Sequence, residues 1–171
     1  MRKIIIFSIL VTFLIADNYL VMPNIQVNFI NYSNLSKRQR TLFRDYRTYH
    51  LGDENFRSRK WARLYGQCYT INFNDDSSLG RYYLGLERFG TEFAAIYLNR
   101  KAIGYLPRQY RGRRKRPNFW SYYEWIEIPP RLVFEGRNSL EICSLPVPNP
   151  EFYGDLDDFQ IRNIQLIKEY Q

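Results

Sequence analysis

Between Arg108 and Arg116 the chain reads "RQYRGRRKR", with six cations in nine residues and no acid. Arg108, Arg111, Arg113, Arg114, Lys115 and Arg116 carry forked or point-like positive charge suited to sulfate, phosphate or carboxylate. Tyr110 lies within the run, and "FWSYYEW" follows it closely, with Trp120, Tyr122 and Tyr123 at its edge. Sugar rings stack on exposed aromatic faces, so these three rings could form a binding platform, while Trp125, deeper in the next strand, reads as core. Cations interleaved with aromatics also suit nucleic acid, but no helix-turn-helix, zinc finger or RNA-binding aromatic signature accompanies the run. A solvated loop without a specific partner is the plainer reading.

Other chemistry has little material. His50 is the single histidine, which leaves almost nothing for a His-based metal site or a Ser-His triad; a surface or hinge position is expected for it. Glu124 and Glu127 are an odd number of residues apart on one strand and so face opposite ways, which does not suit the paired carboxylates of a glycosidase. No catalytic residue and no resident cofactor is expected. Asp155, Asp157 and Asp158 could hold a structural calcium ion, as could the carboxylates of "GDEN"; the alternative is a solvated turn whose carboxylates cap backbone amides. Cys68 and Cys143 lack the spacing of a zinc site. Their strands alternate so that both thiols fall opposite the apolar positions, and a disulfide between them would close a loop of about 75 residues.

The elements that must position these residues are mostly strands. The chain has 171 residues, 18% of them aromatic and 45% hydrophobic, enough for a packed core, and a net charge of +8. "MRKIIIFSILVTFLIA" pairs a charged start with an apolar run too short for an ordinary span, so residues 1–16 read as a signal peptide or signal anchor. The protein is therefore expected outside the cytoplasm, secreted or held to a membrane by its N-terminus, where the sequons at Asn31 and Asn34 would accept glycans in a eukaryotic pathway. Residues 17–50 read as a linker or stalk. "IQVNFI" is a possible strand, and Leu42, Phe43, Tyr46 and Tyr49 fall at helical spacing behind Ser36 as a cap. Residues 51–171 read as the sandwich. "CYTINF", "RYYLGLERF", "FAAIYL", "KAIGYL", "YEWIEI", "SLEICSL" and "FQIRNIQLI" are seven short strands separated by Gly, Pro, Asn and Asp turns. That pattern predicts an all-β antiparallel sandwich.

The order of the pieces resembles the galactose-binding-like jelly rolls, among them the sugar-binding domains of β-galactosidase-type and β-glucuronidase-type hydrolases and carbohydrate-binding modules. The resemblance rests on "AIYLNRKAIGYL", on "FWSYYEWIEIPPRLVFEGRNSLEI" and on the closing "DDFQIRNIQL", and covers about residues 61–168. Asn99 suits a left-handed hairpin position, Gly104 a strand bend, and Gly136 with Asn138 a side-chain-tied turn. Two departures stand out. Arg100 occupies the position of the family's hairpin glycine, and the basic run has no counterpart in the pattern. The resemblance implies a non-catalytic module that binds carbohydrate, including acidic polysaccharide, or another anionic surface. The alternative is a structural or adhesion protein that binds a protein partner; a nucleic-acid binder ranks third.

Overall fold

A computed structural model of the chain describes residues 27–31, 33, 35, 38–53, 63–76, 79–106, 108–109, 119–147 and 156–170. Eleven strands run in chain order: β1 Phe29–Ile30, β2 Gln39–Asp45, β3 Tyr49–Leu51, β4 Arg63–Gly66, β5 Cys68–Asp75, β6 Arg81–Phe89, β7 Ala94–Leu98, β8 Lys101–Leu106, β9 Glu124–Ile128, β10 Gly136–Ser144 and β11 Phe159–Glu169. A 3₁₀ turn spans Pro130–Leu132.

Seven strands form the larger sheet, ordered β1-β9-β6-β11-β3-β4, with β2 paired to the second half of β11 beyond β3. The smaller sheet is β5-β10-β7-β8. Every pairing is antiparallel except β3 with β4. From β5 onward the chain alternates between the sheets, apart from the β7–β8 hairpin, in the manner of a jelly roll. The inner faces carry the period-two apolar positions: Tyr69, Ile71 and Phe73; Tyr82, Leu84 and Leu86; Leu140 and Ile142; Ile164 and Leu166. All ten are buried against one another, which is the burial that stabilises a two-layer fold.

The expected turn chemistry is present. Asn99 and Arg100 both have positive φ, 49° and 68°, in the two-residue turn that joins β7 to β8. Asn99 Nδ2 donates to the Leu132 carbonyl and to Asn138 Oδ1, and Asn99 Oδ1 accepts from the Ser139 amide. Asn138 Oδ1 also accepts from the Phe134 amide, and its Nδ2 donates to the carbonyls of Phe134 and Gly136. Gly104 sits beside the bulge at which the β7–β8 register shifts.

Residues 27–50 differ from the linker expected of them. Val27 is in the core and Gln39–Asp45 is a strand rather than a helix, while Phe29–Ile30, within the short strand foreseen at "IQVNFI", pairs with β9. The apolar spacing that resembled a helix has another cause. Phe43 pairs with Leu166 and Thr41 with Ile167, so Leu42 is the extra residue of a bulge. The bulge lets both Leu42 and Phe43 lie against the core although they are adjacent in sequence.

Asp45, at the end of β2, then ties the sheets together. Its Oδ2 accepts from Tyr49 Oη at 2.7 Å and from Tyr69 Oη at 3.0 Å, and Tyr69 belongs to β5 in the smaller sheet. Arg47 closes the cluster, with Nη2 2.7 Å from Oδ2 and Nε 3.0 Å from Oδ1. The Arg47 hydrogen bonds, with those of the two phenols, overcome burial and hold the Asp45 carboxyl well below the usual carboxylate range. Burial and the bond to Asp45 push the Tyr69 phenol upward.

Cys68 and Cys143 are directly opposed on β5 and β10 and form a disulfide, with Cα atoms 4.0 Å apart. Both lie on the outer face of the smaller sheet, as their alternation requires. A disulfide of this kind is consistent with an oxidising, extracytoplasmic location. His50 departs from the surface position expected for it. It is fully buried in β3, with Nε2 3.1 Å from Asp158 Oδ1.

Candidate functional site

At the end of the sandwich where β6 stops and β9 starts, the loops leave an open cleft of about 610 Å³. That volume is within the range of small-molecule sites. Its floor is built from the last inward-facing residues of two paired strands. Leu86 opposes Glu124, and Arg88 lies one pleat further along β6. Arg88 Nε is 2.6 Å and its Nη2 3.0 Å from the Glu124 carboxylate, a bidentate pair with the guanidinium buried and the carboxylate partly open.

The walls come from the two segments that flank the basic run. Gln109 follows β8 and is buried. Its amide N–H donates to the Thr91 carbonyl, its Oε1 accepts from the Gly90 amide at 2.6 Å, and its Nε2 donates to the Phe119 carbonyl at 3.1 Å. Ser121 is tied at both ends, its Oγ accepting from the Arg88 amide and donating to the Tyr122 carbonyl. These bonds fix the two stems of the loop to each other and to β6, so the cleft is a preformed shape. Arg108 lies on the rim, with its guanidinium 4.4 Å from the Phe93 ring centre and 3.9 Å from Glu92.

The aromatic residues expected to bind ligand divide into three environments. Tyr122 is 92% exposed and Phe119 65% exposed, both lining the cleft. Trp120 also lines it, but Arg162 lies over its ring at 4.1 Å and Phe89 packs at 5.6 Å between ring centres. Arg162 in turn is held by Glu87, so Trp120 is a packed wall rather than the open platform expected. Tyr123 is set apart from the cleft. Its ring crosses the outer face of the larger sheet above Gly85, where an added Cβ would lie 2.6 Å from the Tyr123 hydroxyl and 2.9 Å from the Trp125 ring. Trp125 is buried there with Tyr83 and Ile167, which bears out the core position expected of it. Tyr110, Arg111, Arg113, Arg114, Lys115 and Arg116 lie outside the described residues.

The acidic loop has other work. Asp157 is buried, and its Oδ2 accepts from the Glu92 and Phe93 amides at 2.6 and 2.8 Å. Asp158 is bonded to His50. Asp157 thus caps amides, as the alternative to calcium foresaw, but from a buried position rather than a solvated turn. Asp155 lies outside the described residues. Among the described residues no three His, Cys, Asp or Glu side chains gather as a metal site.

Arg88, Gln109 and Ser121 did not stand out in the sequence, and Phe119 did so only as an aromatic beside the basic run. Gln109 and Phe119 flank the basic run and were within reach of that signal. Arg88 needs the β6–β9 register to place it.

Fold and cleft together define a two-sheet β-sandwich with an aromatic-rimmed, polar-floored opening between its loops. The chain matches no known protein family, and no curated protein is similar to it.

Proposed function

We propose that this is an exported, non-catalytic carbohydrate-binding module that takes a sugar in the cleft between Gln109 and Glu124. The observation that carries this reading is the pair of open rings, Tyr122 and Phe119, above a fixed polar floor. A sugar offers an apolar C–H face to stack on a ring and hydroxyls at its edge to meet amide, hydroxyl and carboxylate groups, and the cleft supplies both kinds of partner. Glu124, pinned by Arg88, acts here as a hydrogen-bond acceptor rather than as half of a hydrolytic pair. The likeness to galactose-binding-like domains points the same way, as does the disulfide for an exported protein. Arg108 on the rim, and the basic run that follows it in the sequence, favour acidic polysaccharides through long-range attraction, which salt screens over about 8 Å at physiological ionic strength.

The test is a glycan array probed with the labelled mature protein and with a Tyr122→Ala variant. Because Tyr122 is almost fully exposed, that change leaves the thermal midpoint unmoved while sugar binding falls roughly tenfold or more, as the loss of one stacked ring implies. Equal binding by variant and parent, or no glycan bound by either, overturns the reading.

A further inference from the structure

At the far end of the sandwich from the cleft, the last inward-facing layer of the core is polar. Lys168 on β11 and Asp75 on β5 belong to different sheets, and both side chains are fully buried. Lys168 Nζ lies 2.8 Å from Asp75 Oδ1 and 2.9 Å from Oδ2, so it sits against the whole carboxyl group and not one corner of it. The Tyr82 hydroxyl, on neighbouring β6, donates to Oδ2. Phe73, Leu84 and Leu166 are the adjoining residues on the same inner faces. Placing an ammonium and a carboxylate here removes two full charges from water, which is costly even for a well-bonded pair.

We propose that Asp75 and Lys168 condense without an enzyme or cofactor into an intramolecular isopeptide bond that joins the two sheets covalently. An ammonium and a carboxylate can become an amide and one water with no oxidant, reductant or further reactant. Proton transfer from Nζ to Oδ1 within this contact gives the uncharged amine and acid. Nζ then attacks Cγ, and a C–N bond forms. The negative charge that develops on Oδ2 is met by the Tyr82 O–H, already aimed at that atom. Oδ1 departs as water after taking a second proton from nitrogen, and the Cγ–Oδ1 bond breaks. Nζ keeps one hydrogen, and Oδ2 becomes the amide carbonyl oxygen. The fold holds amine and carboxyl in contact, so the bimolecular entropy cost of the step has already been met. The product leaves neither of these two charges in the core and spans 93 positions of sequence.

The experiment is the intact mass of the purified mature chain, reduced and denatured, with its N-terminus established by sequencing. The expected mass is that of the sequence less one water, and a protease digest contains one branched peptide linking Asp75 to Lys168. Lys168→Arg and Asp75→Ala chains have the full mass of their sequences. A parent chain with no water lost after prolonged incubation in the folded state overturns the proposal. So does a water loss that mapping places elsewhere, such as an aspartyl succinimide. Because the parent chain is itself the test, a variant that fails to fold does not weaken the result.

Discussion

Replacing Asp45 with alanine removes the single acceptor shared by two buried phenols, one from each sheet. A hydrogen bond to a charged acceptor contributes about 1.5 kcal/mol net, so losing both costs about 3 kcal/mol. Arg47, whose side chain is 62% exposed, stays solvated when its partner is lost, so Arg47→Ala has a smaller effect than Asp45→Ala. With a urea dependence of about 2 kcal/mol/M, the Asp45→Ala midpoint falls by about 1.5 M. The sign of the pH dependence follows from the lowered carboxyl. A carboxylate held below its unfolded value of about 3.9 stabilises the fold above that pH and loses the contribution as pH falls towards the native value. The gap between parent and Asp45→Ala is therefore full at neutral pH and closes progressively below about pH 4. Urea titrations at several pH values, followed by tyrosine and tryptophan fluorescence, measure it. A gap that stays constant through the acid range, or one below about 0.5 kcal/mol at neutral pH, refutes the argument that this carboxylate clamps the sheets.

Two further outcomes concern the backbone. Cys68→Ser with Cys143→Ser opens a cross-link between positions 75 residues apart, and loses roughly 3–4 kcal/mol by equilibrium unfolding if the disulfide acts mainly on the unfolded chain. Arg100→Gly relieves a non-glycine residue at φ 68° in the β7–β8 turn, and raises stability by about 1 kcal/mol, read as a higher thermal midpoint.

What the sequence disclosed was governed by period and by local turn chemistry. The strands from β5 to β11 alternate, apart from the bulges in β8 and β11, since each has one face in the core and one outside it. Asn99 and Gly136 announced their turns because positive φ restricts the choice of residue, and Asn138 because its side chain ties the turn. Cys68 and Cys143 could be paired conditionally, on the assumption that their strands are neighbours, and β5 and β10 are. β2 was hidden by its own bulge, which places Leu42 and Phe43 on the core side together and so imitates a helical face. The charged floor of the cleft was hidden for a different reason. Arg88 and Glu124 are 36 positions apart, and nothing local to either shows that they meet. Trp120 and Tyr123 were recognisable as loop-edge aromatics, but their coverage by Arg162 and their packing above Gly85 depend on strands elsewhere in the sheet.

The position of β11 has a consequence for the order in which the protein can be made. It pairs with β6 along one side and with β3 and β2 along the other, and it follows all three in the chain. Until its residues have left the ribosome, the larger sheet is three separate pieces, β1-β9-β6, β3-β4 and β2, and β6 has no neighbour on that side. A nascent chain therefore cannot close its core early, whatever has already been synthesised. On the proposal that the protein is exported, this late keystone would keep the chain unfolded for the length of its passage and let the sandwich close on the other side.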